Sequence, residues 1–265
     1  MRPLIVPFYY AAIACCVAQG FYFFAYGTYL SKSEQIFMLS ATLGYFMYQK
    51  VISPNLEHGK FLVHKYFSYF VLGLSLISAL VSIFLIRNYQ WHCVFMFGFL
   101  AVFYHLHINL FKLRDFAFIK NLCITCGWVS AAIFYVAEVD LYTAKNYLLV
   151  SEFSLFIFTL TLYFDALDKG NDQAHQHETL SVIFGDWFNL GFMAVTLSLG
   201  AWIVIEMYGD RMFNSQTFKI FIGSYLLLGI IIARSYFLKK WHDDIKWLAD
   251  GLILAQGLAL YLIEN

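Results

Sequence analysis

Nine apolar runs succeed one another along this 265-residue chain, at 4–29, 35–52, 61–86, 91–110, 118–136, 147–164, 187–208, 218–238 and 245–263. At roughly 18 to 26 residues, each is long enough to cross a bilayer as a helix. The links between them are too short to hold a soluble domain. Lipid offers no partner to a backbone N–H or C=O, so a spanning chain must be helical or a closed barrel. A barrel strand reads as alternation over about ten residues, whereas these runs are unbroken and the chain has only three prolines. The expectation is an all-α polytopic membrane protein, a single domain over 1–265 with nine transmembrane helices. The composition agrees, with 61% apolar and 13% charged residues, because a soluble fold of this length cannot bury that much apolar surface. The first run is too long and too poor in preceding charge to be a cleaved signal.

The balance of 17 basic and 17 acidic residues conceals a sided distribution. Nine alternating spans leave five basic residues on one face, Lys32, Arg87, Lys145, Arg211 and Lys219, and the other 12 on the opposite face. Basic loops stay inside, so the expected orientation has a cytoplasmic N-terminus and an external C-terminus, in a bacterial inner membrane. No basic excess invites a nucleic-acid partner. The five cysteines all fall within runs, where packing as small apolar residues is their expected role, the Cys123-x-x-Cys126 spacing included.

Against this background the end of the sixth run stands out. Asp165, Asp168 and Asp172 follow an apolar stretch in "TLYFDALDKGNDQAHQHETLSVIFG". Offsets of three and seven residues bring the three acids within about 60° of one another on a helix, as a stripe along one face. Like charges so placed repel unless a divalent cation or a basic partner neutralises them. A few carboxylates that share a cation with water and phosphate oxygens suit magnesium. A solvated helix end would also account for the acids.

The pattern Asp-x-x-Asp-x-x-x-Asp, followed after six residues by Thr179-Leu180-Ser181-Val182 and then Gly185, resembles the second aspartate-rich motif of UbiA-type intramembrane prenyltransferases. That family carries proline where this chain has Ser181. The resemblance implies a UbiA-like bundle of nine helices, with a polar chamber open to the cytoplasm and a lateral apolar route for an isoprenoid chain. It further implies magnesium held by Asp165, Asp168 and Asp172, and a diphosphate assisted by basic residues of the stretch 111–128, with Lys112, Arg114 and Lys120 as candidates. Each of these could instead be a positive-inside signal. The implied partners are a polyprenyl diphosphate or other isoprenoid lipid, membrane lipids, and a membrane protein partner.

The family's first aspartate-rich motif has no counterpart. The corresponding stretch, "GYFMYQKVISPNLEHGK" at 44–60, contains no aspartate; Tyr48-Gln49 stands in place of Asn-Asp, Ile52 and Leu56 in place of the following acids, and Glu57 is the one carboxylate. Lys50 beside it is a further diphosphate-binding candidate, or an ammonium that replaces metal by pairing with Asp165 or Asp168, or a lysine snorkelling at the boundary. Departure of diphosphate in a dry site requires charge neutralisation, so the loss bears on activity. Two readings stay open. One is transfer of a polyprenyl group to an aromatic or lipid acceptor, with no catalytic residue assigned. The other is a non-catalytic relative that binds a prenyl lipid or serves as a subunit of a membrane complex. Glu152 and Glu206, acids inside a run or near its boundary, are expected to face protein or water and not lipid.

Overall fold

The computed structural model describes residues 2–52, 62–86, 93, 95, 117–174, 179–238 and 243–263. Eight long helices carry the fold: α1 (Arg2–Tyr26), α2 (Lys32–Ile52), α3 (Leu62–Ile83), α4 (Ala117–Ile133), α5 (Ala144–Ala174), α6 (Gly185–Gly209), α7 (Ser215–Leu238) and α8 (Asp243–Ala259). Single helical turns at Glu138–Leu141 and Leu180–Ile183 precede α5 and α6, and a 3-10 turn, Leu260–Leu262, ends the described chain.

Local sequence sets several of the boundaries. α1 stops where Gly27 takes a φ of 68° and donates its N–H to the Phe23 carbonyl at 2.7 Å, a left-handed stop for which glycine carries no steric penalty. α2 starts with a capping box: the Ser31 N–H reaches Glu34 Oε2 at 2.6 Å while Ser31 Oγ accepts from the Glu34 N–H at 3.4 Å. Two otherwise orphaned donors are satisfied reciprocally. Asn214 caps α7, its Oδ1 accepting from the Thr217 N–H at 2.9 Å.

The sequence reading gives nine spans. Among the described residues, five helices are long and apolar enough to cross a membrane, Val6–Tyr26, Tyr66–Ile83, Ala144–Gly170, Gly185–Gly209 and Ser215–Phe237. Phe118–Ile133 and Trp247–Leu262 are apolar but shorter. α2 has 21 residues, but Lys32, Glu34, Gln35, Gln49 and Lys50 dilute its apolar character. Of the run 91–110, only Cys93 and Phe95 lie within the described residues.

α1 packs on α2, α4 and α8; α5 packs between α4 and α6; and α6, α7 and α8 follow in turn. This closes a ring of α1, α4, α5, α6, α7 and α8, with α2 and α3 added outside α1. Among the described helices α5 supplies the largest share of the core, with Phe153, Phe156, Ile157, Leu160 and Tyr163 among its buried residues, whereas α3 turns Tyr66, Phe70, Leu74, Ile77 and Leu80 outward. So broad an exposed apolar face suits acyl chains and not water. α1 and α8 approach closely at Gly20 and Gly257. A Cβ on Gly20 would lie 2.5 Å from the Gly257 carbonyl oxygen, so small residues are what allow the two backbones to touch.

Candidate functional site

The acids and their partners converge at one end of α5. Asp165 and Asp172 are buried, 2% and 4% exposed, and Asp168 is half-buried. From α4, Lys120 places its Nζ 2.6 Å from Asp165 Oδ1 and 3.9 Å from Asp172 Oδ2. The first contact is a charge-assisted hydrogen bond; the second is an ion pair without one. Lys120 therefore spans the two outer acids of the stripe. Lys169, one turn on from Asp165, pairs with Asp186 at 2.5 Å and ties α5 to α6.

The turn before α6 is bonded to the same place. Ser181 Oγ donates to the Asp165 carbonyl at 3.0 Å and lies 3.2 Å from Thr179 Oγ1. The Thr-Leu-Ser-Val segment thus returns beneath the acids, which gives the spacing read from the sequence a structural use.

A cavity of about 170 Å³ opens between α4, α5 and α8. Lys120, Asp165, Asp168 and Asp250 are its charged lining and Thr161 is a further polar one; Ile124, Trp128, Ile157, Leu160, Phe164 and Ile253 are apolar. Asp250 was not singled out by sequence reasoning. It is 3% exposed and accepts a hydrogen bond at Oδ2 from the Tyr10 hydroxyl of α1 at 2.7 Å. A lone acid in an apolar helix is a signal of its own, and it stood in "WLADGLILAQ" at 247–256. Its partner Tyr10 is 240 positions away and had no signal among 19 tyrosines.

Eight buried side-chain polar atoms lack a hydrogen bond among the described residues, and five of them are Asn121 Nδ2 and Oδ1, Thr125 Oγ1, Asp165 Oδ2 and Asp172 Oδ2. All five belong to α4 and α5. Asn121 adjoins Asp165 without a hydrogen bond of good geometry. Native proteins rarely leave such groups orphaned; of the residues that carry these five atoms, Asp165 lines the cavity. Two of the orphans are hard carboxylate oxygens of the kind magnesium takes. No three His, Cys, Asp or Glu side chains converge as a metal shell among the described residues, and among those residues the Lys120 ammonium is the cation placed on Asp165 and Asp172.

Lys112 and Arg114 lie outside the described residues, and Lys50 sits in the last turn of α2 with its side chain outside them. Of the four basic candidates, Lys120 is the one placed at the acids. Trp128 lines the cavity, whereas Tyr163 is a packed core residue whose hydroxyl lies 3.0 Å from Ser235 Oγ. The five cysteines are free thiols.

No protein-family model and no curated protein sequence matches the chain. Solved structures do. An apo UbiA homologue from Aeropyrum pernix K1 superposes with a TM-score of 0.64 at 12% identity, over 96% of each chain. A UbiA homologue from Archaeoglobus fulgidus bound to GPP and Mg2+ gives 0.61 at 12% identity, over 98% of this chain and 99% of that one. A digeranylgeranylglyceryl phosphate synthase gives 0.59 at 15% identity, over 98% and 94%. At such identities the likeness is one of fold, and it spans nearly the whole length: this chain has the UbiA fold.

Proposed function

We propose that this protein is a UbiA-like membrane prenyltransferase that transfers a polyprenyl group from its diphosphate to an aromatic or lipid acceptor. The observation that carries the reading is the meeting of Asp165, Asp168 and Lys120 on one apolar-lined cavity inside a UbiA fold. In this reading the nine-helix membrane domain presents the acid end of α5 to the cytoplasm, and Lys112, Arg114 and Lys50 join Lys120 in holding phosphate oxygens. Asp165 and Asp172 would hold magnesium through the Oδ2 atoms that no hydrogen bond uses, with Asp168 beside them. Bound there, magnesium supplies charge neutralisation for a departing diphosphate. The chain's own part is to orient the head group, to keep water away with Trp128, Phe164 and Ile253, and to move Lys120 from Asp165 onto phosphate.

A second reading has its own support. The Lys120 ammonium already neutralises Asp165 at 2.6 Å, and the stretch 44–60 contains no aspartate. Both favour a protein that binds a prenyl lipid without ionising it, alone or as a subunit of a membrane complex.

Thermal stabilisation of the purified protein by geranylgeranyl diphosphate separates these readings, because a ligand of the folded state raises Tm by mass action. Magnesium-dependent stabilisation, lost in Asp165→Asn/Asp168→Asn, together with prenyl transfer to an acceptor, is the outcome expected of the transferase. Stabilisation without turnover across a broad acceptor set supports the binding protein. Equal stabilisation of the wild type and the double variant removes the acids from the site.

A further inference from the structure

Lys120 belongs at once to the acid pair and to the open space beside it. A lysine ammonium carries three hydrogen-bond donors and no acceptor. One donor is given to Asp165 Oδ1 at 2.6 Å, while Asp172 Oδ2, at 3.9 Å, attracts the charge without accepting a bond. The same lysine lines the cavity. Around it, polar atoms stay unused. Asp165 Oδ2 and Asp172 Oδ2 make no hydrogen bond, and Asn121, fully buried at the next position of α4 and adjoining Asp165, leaves both of its amide atoms unbonded. Buried groups without partners are costly, so the lysine alone does not satisfy the place it occupies.

Charge decides what can join it. Asp168 and Asp250 line the same cavity but engage other groups, so the balance turns on Asp165, Asp172 and Lys120. Two carboxylates neutralise one divalent cation completely, or one ammonium with a negative charge to spare; they cannot neutralise both. A divalent cation seated beside Lys120 would leave net positive charge in a site with little water, where like charges repel strongly. The ammonium and a divalent metal therefore compete for the same carboxylates. Lysine is able to yield, because its charge rides on a flexible four-carbon stem. An anion in the cavity removes the conflict: a phosphate oxygen accepts from the ammonium and supplies the negative charge that two cations together require.

We propose that Lys120 is a tethered competitor of divalent metal at the Asp165 and Asp172 pair. It keeps these acids from taking up a free divalent cation, and it gives way when a phosphate-bearing head group enters the cavity and draws the ammonium off. Metal binding is thereby conditional on the head group, and by linkage the head group binds more tightly with metal. The phosphate half of this inference rests on the prenyltransferase reading, whereas the competition is tested without any prenyl ligand.

The experiment titrates Mn2+, which shares the octahedral oxygen preference of magnesium, into the full-length protein in maltoside micelles and phosphate-free buffer, with electron paramagnetic resonance separating free from bound ion. The wild type should bind weakly. Lys120→Met and Lys120→Gln should each bind about tenfold more tightly or better, since one like charge beside the carboxylates is gone. Lys120→Gln keeps a donor for Asp165 and decides the matter if the methionine variant does not fold. Lys120→Arg keeps the charge and should stay as weak as the wild type, and the gain should vanish in Lys120→Met/Asp165→Asn. Saturating geranylgeranyl diphosphate should then tighten Mn2+ binding to the wild type by about tenfold, and by about threefold or less in Lys120→Gln. Equal Mn2+ affinity in the wild type, Lys120→Met and Lys120→Gln, no Mn2+ binding by any of them, or a gain that persists without Asp165 would overturn the competition. Geranylgeranyl diphosphate that binds but tightens Mn2+ equally in the wild type and Lys120→Gln would overturn the conditional step. A Tm that geranylgeranyl diphosphate leaves unchanged would overturn that step and the proposed function together, while the Mn2+ titrations still decide the competition.

Discussion

Two of the buried carboxyls on α5, Glu152 and Asp165, lie 13 positions apart, about 20 Å along the helix, and they sit in opposite surroundings. Asp165 has an ammonium, a cavity and a cluster of orphaned polar atoms. Glu152, fully buried, has neutral company: Gln256 Nε2 donates to its Oε1 at 3.2 Å, and the Tyr225 hydroxyl donates to its backbone carbonyl at 3.4 Å. Its three residues come from α5, α8 and α7. The polar bonds there join helices to one another, a use of polar side chains that membrane bundles favour because lipid offers no alternative partner. The Asp165 end keeps charge and polar groups beside open space. The first arrangement holds the bundle together; the second is suited to receiving something.

The largest difference should appear when each acid loses its partner or its charge. Lys120→Met leaves Asp165 and Asp172 buried without their cation, a change worth about 3–5 kcal/mol when one member of a buried pair is removed. The Lys120→Met/Asp165→Asn double variant should recover much of that loss. Glu152→Gln keeps shape and hydrogen-bonding capacity and should cost less than about 1 kcal/mol, with geranylgeranyl diphosphate binding unchanged. Denaturant unfolding in mixed micelles measures all three. If Lys120→Met is as mild as Glu152→Gln, the two ends do not differ in the way the contacts indicate.

A smaller effect is expected at the Glu152 end from packing alone. A Cβ on Gly200 of α6 would lie 2.2 Å from the Tyr225 hydroxyl, and Tyr225 is buried beneath Phe156 at 5.2 Å. Its ring has little room to retreat. Gly200→Ala should therefore cost about 1–3 kcal/mol by overpacking, and the loss should show in unfolding without altering ligand affinity at the Asp165 end. A shift in affinity as large as the shift in stability would mean that the two ends of α5 are coupled.

How far the sequence could be read follows the same division. Asp165, Asp168 and Asp172 lie on one helix, so a spacing rule sufficed to place them together, and Thr179 and Ser181 followed from the motif. Glu152 and Glu206 were expected to face protein or water because a carboxyl in lipid is costly; Glu152 is fully buried, whereas Glu206 is exposed near the end of α6. Asp250 and Tyr10 were missed because their meeting depends on α8 closing the ring against α1, a contact between the ends of the chain that no local pattern encodes. Lys120 was named for a diphosphate, yet a lysine in an aspartate-rich site has acids as its nearest partners. The span count of nine drew on hydropathy alone; α4 and α8, at 17 residues each, are shorter than the runs that pointed to them, because their ends are drawn into turns.

The smallest effect expected is also the most local. Ser181 stands where the resembled family has proline, and its hydroxyl donates to the Asp165 carbonyl from a fully buried position. Ser181→Ala removes that bond and the 3.2 Å contact with Thr179 Oγ1, while the turn Leu180–Ile183 keeps its backbone bonds from Val182 and Ile183 to the Thr179 carbonyl at 3.0 and 2.9 Å. The loss should be about 1 kcal/mol, the usual net worth of one hydrogen bond. What distinguishes this site from the Glu152 end is where that loss is felt. If the Ser181 bond holds the end of α5 in the position that presents Asp165 to the cavity, the variant should weaken geranylgeranyl diphosphate binding by a few-fold, in proportion to its lost stability. An unchanged Kd beside a lowered Tm would assign Ser181 to helix packing alone and leave the placement of Asp165 to Lys120.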